Sequence, residues 1–334
     1  MTELAVSFKG REILVNYLAA ASLLTFGFLI YSFHPYYIQF FSEQARELFL
    51  YCWGAYLVLL PFYYTTLPTG YPTKSRLFWL AAAGFLRRSL SAEEKVAVLA
   101  VVVKLFFLPL MIAWLFHHAK ETLFHLDVLM ANGNFFPNGF WLLFNIVFLV
   151  DVGCFTVGYA VEHPRLGNEI RSVEPTAVGW IVTLICYPPF NGATQQMLGW
   201  HSGDYPAFEH PLAQYLSAAL ILAALVIYAW ASAALNLKAS NLTHRGIVDG
   251  GPYAWVRHPA YIAKNFSWWI GSLPILYGYA QRDASDLIYG IIGVAGWSAI
   301  YYLRAMTEER HLGADPAYAA YCEKVRYKFI PGVW

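Results

Sequence analysis

Arg257-His258 and Glu308-Glu309 are the residues of this 334-residue chain whose types suit joint chemistry. The first pair lies in Tyr253-Ala254-Trp255-Val256-Arg257-His258-Pro259-Ala260-Tyr261, a polar loop between apolar stretches at 212–235 and 266–280. A guanidinium and an imidazole donate hydrogen bonds to an anionic group, and two carboxylates accept from hydroxyls or neutralise a cation. The rings of Tyr253, Trp255 and Tyr261 offer faces that a cation prefers. Together they suit a small ligand that carries an anion, a cation and hydroxyls. Gly250-Gly251-Pro252 marks a tight turn just before the loop. Pro259 fixes its own φ and biases His258 toward extended backbone, so a helix is expected to begin near Pro259.

The elements that must position these groups are membrane helices. The composition is 58% hydrophobic, 18% aromatic and 13% charged, whereas a soluble domain carries about 25% charge. Soluble classes are thereby excluded, and a net charge of +1 gives no field for nucleic acid. A span needs about 20 mostly apolar residues. Eight candidates follow: 13–33, 46–67, 96–116, 135–160, 176–190, 212–235, 264–281 and 286–306. The fifth is short and ends in Pro188-Pro189, so it is expected to be broken or re-entrant. The first is too long for a signal-peptide core and reads as a retained helix. The expected fold is an all-α integral membrane protein of about eight transmembrane helices with a C-terminal cytoplasmic cofactor-binding segment. Residues 264–281 run outward and 286–306 return, which brings Arg257-His258 and Glu308-Glu309 to one end of a hairpin although about 50 residues separate them.

Orientation follows from Lys and Arg in the loops. Eight spans gather Lys9, Lys74, Arg87, Arg88, Arg165 and Lys238, together with Arg257 and the basic residues from 304 to 328, on one side. Only Arg46, Lys120 and Arg282 face the other. Both termini are then cytoplasmic. The tail, 307–334, is polar, and Tyr318, Tyr321 and Val325 have helical spacing suited to lying on the membrane surface.

The loop and the carboxylate pair also carry a family resemblance. Gly251-Pro252-Tyr253-x-x-x-Arg257-His258-Pro259-x-Tyr261, Trp268-Trp269-Ile270-Gly271, Glu308-Glu309-x-x-Leu312 and Tyr318-x-x-Tyr321 resemble the isoprenylcysteine carboxyl methyltransferase family. That family is similar in turn to phospholipid methyltransferases and more distantly to membrane sterol reductases. The resemblance covers roughly residues 212–334, which read as a methyltransferase-like core. Residues 1–211 carry no comparable match and read as an N-terminal transmembrane region, expected to hold the acceptor or lipid-binding part. The resemblance implies S-adenosylmethionine as cofactor, held by Tyr253, His258, Tyr261, Glu308, Glu309 and Leu312, with Arg257 and Glu309 as catalytic residues. It implies a prenylated or otherwise lipophilic substrate from the bilayer. The chemistry agrees: a sulfonium prefers carboxylates and ring faces, a methionine carboxylate prefers Arg or His, and ribose hydroxyls prefer Glu. Methyl transfer to an ionised carboxylate needs no general base. An amine or hydroxyl acceptor would need one, and His258 or Glu309 is the candidate.

Lys104 and Asp151 form a second constellation. Each lies roughly 12–14 Å deep in adjacent antiparallel spans at about 1.5 Å per residue. Intramembrane charges are usually functional and paired. They are expected to pair with one another, either as a structural ion pair or as substrate residues beside a lipid-acceptor tunnel. His117, His118 and His125, with Asp127, fall in one expected outer loop; their spacing matches no metal pattern, and solvated histidines are expected there. Glu162-His163-Pro164-Arg165 forms a short cytoplasmic cluster with no assigned role. Cys52, Cys154, Cys186 and Cys322 have no paired spacing and read as free thiols.

Two other readings stay open. Tyr321-Cys322-x-x-Val325-x-Tyr327-x-x-Ile330-Pro331 resembles the tail of the sterol reductases and implies NADPH, although the Glu308-Glu309 pair would repel a 2′-phosphate. A non-catalytic transporter or scaffold is supported only by Lys104 and Asp151. The charge asymmetry generates a topology test: Phe8→Cys, Ile247→Cys and Ile330→Cys should all label from the same side of a sealed membrane. Labelling of the Ile247→Cys variant from the opposite side overturns the arrangement.

Overall fold

In the computed structural model of the chain, residues 2–86, 89–133 and 135–333 are described; Arg87 and Arg88, used above for orientation, lie outside them. Helices dominate: α1 Thr2–Phe33, α2 Pro35–Phe40, α3 Glu43–Thr66, α4 Lys74–Gly84, α5 Ala92–Asn132, α6 Asn138–Ala160, α7 Ala177–Leu184, α8 Phe190–Leu198, α9 Pro211–Leu235, α10 Pro259–Ala280, α11 Ala284–Leu312 and α12 Pro316–Lys324. Two strands of two residues each, Ser172–Val173 and Thr243–His244, complete the regular structure of the described residues. The chain forms two compact units. The first comprises residues 1–116 and 156–173, and the second 117–155 and 174–334.

Six helices among the described residues are long and apolar enough to cross a membrane: the portion of α1 from Lys9, then α3, α5, α6, α9 with its short extension to Lys238, and α11. This supports an integral membrane protein, with two departures from the expected eight spans. The 176–190 stretch is not one helix. α7 has 8 residues, about 12 Å of rise, and α8 starts afresh at Phe190 just past Pro188-Pro189. α10 covers the expected 264–281 span with 22 residues, but Lys264, Asn265 and its Trp and Tyr content hold its hydropathy below that of the six.

The expected outer loop after residue 116 is also different. α5 continues to Asn132, because Lys120, Glu121, Leu123 and Leu126 are good helix formers whatever solvent surrounds them. His118 Nδ1 lies 2.8 Å from Asn145 Oδ1 and its ring stacks on Phe148, while His125 sits beside Asn138 and Glu121. His118 and His125 are thus packed on a helix rather than solvated in a loop, while His117, on the same helix, is exposed. Among the described residues no group of three His, Cys, Asp or Glu could hold a metal ion, and the four cysteines are free.

In the first unit α1 packs on α3 through Ala20, Leu60, Tyr64 and Leu67. Ser42 and Thr73 cap α3 and α4 by accepting from Ala45 N–H and Arg76 N–H. Thr73 also donates to Asn16 Oδ1 at 2.8 Å, so neither buried polar group is orphaned. The expected Lys104–Asp151 pairing is replaced by two separate solutions, one in each unit. Lys104 Nζ donates to Glu162 Oε2 at 2.6 Å, and Lys74 Nζ stands 4.0 Å from the other oxygen. In the second unit Asp151 is buried and accepts from Tyr228 at 2.8 Å and from Ser232, one helical turn apart on α9.

The second unit is organised by α10, which packs between α9 and α11. Gly271 lets α10 approach the 199–206 segment: a Cβ there would lie 2.1 Å from Gly203 O, and Gly203 N–H donates to Gly271 O at 3.2 Å. Phe140, Phe144, Ile221 and Leu225 form an apolar cluster between α6 and α9.

Burial alone would push the Glu162 carboxyl up, but Lys104, Lys74 and the Ile170 N–H outweigh it and hold it below its ordinary range. The stabilisation from this depressed value is therefore whole above the unfolded value near 4.5 and disappears as pH falls through the lower folded value. Lys104→Met should destabilise the protein by about 3–5 kcal/mol, because it strands a buried charge. Adding Glu162→Gln should return part of that loss. Thermal unfolding of the single and double variants in nanodiscs, at pH 7 and stepwise below pH 5, checks both statements; additive losses would show the pair uncoupled.

Candidate active site

The loop after α9 is shaped by its sequence in three steps. Gly251 takes a positive φ of +60°, a conformation suited to glycine, and opens one tight turn through Ala254. His258 then occupies the N-cap position of α10 with φ −125° and ψ 56°, and Pro259 opens the helix as expected. Finally the backbone N–H groups of Arg257 and His258 donate to Tyr327 O and Lys328 O, each at 3.0 Å. Residues 327–328 thus hold the loop by main-chain hydrogen bonds.

Glu309 joins the loop to α11. Its Oε2 accepts from Arg257 Nη1 at 2.7 Å, and its Oε1 lies 2.9 Å from His258 Nε2. An ionised carboxylate only accepts, so His258 Nε2 carries the proton. The His258 ring lies between Tyr261, parallel at 5.7 Å between centroids, and Phe329 at 5.4 Å. Arg257 Nη1 also lies 2.9 Å from Cys322 Sγ, which ties in α12. Tyr318, Tyr321 and Val325 do not lie on a membrane surface: they form a buried cluster with Ile247, Tyr253 and Leu312.

A cavity of about 200 Å³ opens beside this assembly. Tyr253, Arg257, His258, Tyr261, Glu308 and Leu312 all line it, so the structure brings the loop and the α11 residues to one pocket. Glu309 is not a lining residue; it stands behind Arg257 and His258 with both oxygens engaged. Glu308 is the carboxylate on the wall. Tyr261 donates to its Oε1, and its Oε2 is 3.9 Å from His258 Nδ1. Burial, with the negative charge of Glu308, keeps the Tyr253 hydroxyl protonated far above neutral pH. Burial and Glu309 do the same for Tyr318, so both remain donors.

The wall contains residues that the sequence reading did not single out. Arg304 on α11 is 3% exposed and stands over Tyr301, Tyr261 and Tyr187 at 4.9, 5.3 and 5.8 Å. It donates to Asn241 Oδ1 at 3.1 Å, and its Nε has no hydrogen-bond partner among the described residues. Lys264, one and a half turns into α10, lies 5.3 Å from the Tyr228 ring and 5.9 Å from Tyr301. A readable signal existed for Arg304: Tyr301-x-x-Arg304 places the pair on one helix face. His244, Arg245 and His311 also line the pocket.

Residues 212–313 match the isoprenylcysteine carboxyl methyltransferase (ICMT) family. No curated protein matches the chain. The ICMT segment runs from the first residues of α9 to the end of α11, so it contains the loop, Glu308, Glu309 and Leu312. With the six apolar helices, it supports a membrane methyltransferase. The pocket nonetheless takes Tyr318 and Tyr321 from beyond the ICMT segment, and the loop takes its backbone partners from Tyr327 and Lys328. Lys104 is not a pocket residue, and Asp151 stands behind the wall, bonded to the lining Tyr228 and Ser232.

Because Glu309 fixes both Arg257 and His258, Glu309→Gln should free one of them. A desolvated charge-assisted hydrogen bond is worth about 1.5–3 kcal/mol. The amides of Arg257 and His258 should then exchange with solvent roughly tenfold to a hundredfold faster. Amides in α9 should keep their parent rates, and unchanged exchange at residues 257–258 would refute this role of Glu309.

Proposed function

We propose that the chain is an S-adenosylmethionine-dependent methyltransferase with a lipophilic acceptor embedded in the bilayer, of the isoprenylcysteine carboxyl O-methylation type. The observation that carries this reading is one pocket lined at once by Glu308, by Arg257 and His258, and by tyrosine rings, inside the segment that matches the ICMT family. Members of that family use S-adenosylmethionine. The residues fit such a group by donor chemistry. Glu308 keeps one carboxylate oxygen for ribose hydroxyls or a sulfonium, Arg257 and His258 suit the methionine carboxylate, and the rings of Tyr253 and Tyr261 suit a cation. Arg304, with an unpartnered buried Nε, offers a further donor. Charge asymmetry supports the cytoplasmic side for this pocket and for both termini.

When bound, the cofactor supplies an electrophilic methyl group. The work of the chain is to hold it and an ionised acceptor in line and to exclude water, which can be worth about 7–11 kcal/mol of the barrier. With a carboxylate acceptor no proton moves. Arg257 would hold acceptor or cofactor by charge, and Glu309 would keep Arg257 and His258 in place. Residues 1–211 would contribute to acceptor binding.

One observation favours a second reading. Lys238, His244, Arg245 and His311 line the same pocket, and a cluster of this kind suits the phosphates of NADPH. Glu308 opposes it, and His244 is already engaged by Asp315, its Nε2 2.7 Å from Oδ2. Calorimetric titration of the purified chain with each cofactor decides between them. S-adenosylmethionine should bind saturably, and His258→Ala should weaken it roughly tenfold to a hundredfold. Saturable binding of NADPH with none of S-adenosylmethionine would overturn the methyltransferase reading.

A further inference from the structure

The first unit encloses a cavity of about 500 Å³, formed by residues outside the ICMT segment. That size lies within the roughly 300–1,000 Å³ of small-molecule sites. Leu23 and Leu24 of α1, Tyr56 and Leu59 of α3, and Leu105 and Leu108 of α5 make its walls. A smaller space of about 70 Å³ shares Leu24, Tyr56, Leu105 and Leu108 with it and extends to Gly27, Phe28 and Tyr31. Walls of this kind do not hold water, which needs polar partners. Leu59 of α3 also presents an exposed face.

The cavity is not apolar throughout. Lys74, Lys104 and Glu162 also line it. Both oxygens of Glu162 are engaged, Oε1 by the Ile170 N–H at 2.9 Å and Oε2 by Lys104 at 2.6 Å. Lys74 Nζ, at 4.0 Å from Glu162, stands beyond hydrogen-bond reach of it. Glu169 stands behind the wall and accepts from the lining Tyr71, so it is Lys74 that has no hydrogen-bonded carboxylate. Beside hydrocarbon, such a cation is costly unless an anion meets it. We propose that this unit binds a single-chain lipid with an anionic head, its tail between α1, α3 and α5 and its head at Lys74 and Lys104. A carboxylate and a phosphate monoester share the chemistry required. This binding does not depend on the methyltransferase reading.

The test uses the full chain in phosphatidylcholine nanodiscs with a diazirine-bearing palmitate as probe. Photolabelling should saturate and map by mass spectrometry to residues 52–64 or 101–108. Palmitate or lysophosphatidate should compete, whichever binds more tightly naming the head, and hexadecanol should compete at least tenfold less well. Cys52→Trp, which fills the junction of the two spaces, should abolish saturable labelling while leaving the unfolding midpoint near that of the parent. Lys74→Gln should weaken the anionic competitors roughly tenfold and leave hexadecanol unchanged. If Cys52→Trp does not fold, Lys74→Gln alone decides. Labelling that never saturates, labelling of folded Cys52→Trp equal to the parent, or equal competition by hexadecanol and palmitate would each overturn the proposal.

Discussion

The carboxylate of Glu309 is the constraint on which the site depends. It is partly withdrawn from solvent and meets two cationic or proton-bearing groups, one on each oxygen. Removing Glu309 would leave the Arg257 guanidinium without its carboxylate, so the loop depends on it. Through these contacts a loop at the head of α10 is fixed against the end of α11. Three residues of the pocket wall are placed by that junction: Tyr261 one turn along α10, Glu308 one residue before Glu309, and Leu312 a turn beyond. Adjacent residues on a helix point about 100° apart. Two neighbouring carboxylates can therefore do different things, one bracing the loop and the other facing the cavity.

Sequence arithmetic reached this junction because two helices joined by a short turn must return to the same end. It succeeded at Pro259, which opens α10 where its missing N–H costs nothing, but His258 departs from the extended backbone expected before a proline, with ψ 56°. The same arithmetic failed where direction around a helix mattered. Counting residues gave Lys104 and Asp151 equal depth, but depth does not say which way a side chain faces. Asp151 met Tyr228 and Ser232, and Lys104 reached Glu162, two residues past the end of α6. Glu162 had been read as part of a polar cluster without a role.

Hydropathy misled in a related way. It reports the expected solvent of a segment, and helix formation is a separate matter. α5 therefore ran on past the apolar residues into a polar stretch of good helix formers, and the expected histidine loop became helix. At 176–190 the break expected from Pro188-Pro189 is present, and the stretch divides into α7 and α8. Arg304 was counted as a charge outside the membrane, yet it is buried among tyrosines, where ring faces and Asn241 replace water.

The main-chain bonds from Arg257 and His258 to Tyr327 and Lys328 have a consequence for how the protein is made. Synthesis proceeds from the N-terminus at about 5–20 residues per second. The loop, α10 and α11 emerge from the ribosome before the residues that hold the loop from outside. Residues 257–261 must therefore wait, with their donors and rings uncovered at the membrane surface, until about 70 further residues have followed. During that interval the pocket lacks Tyr318 and Tyr321, so its wall is completed late in synthesis, after the helices themselves are in place.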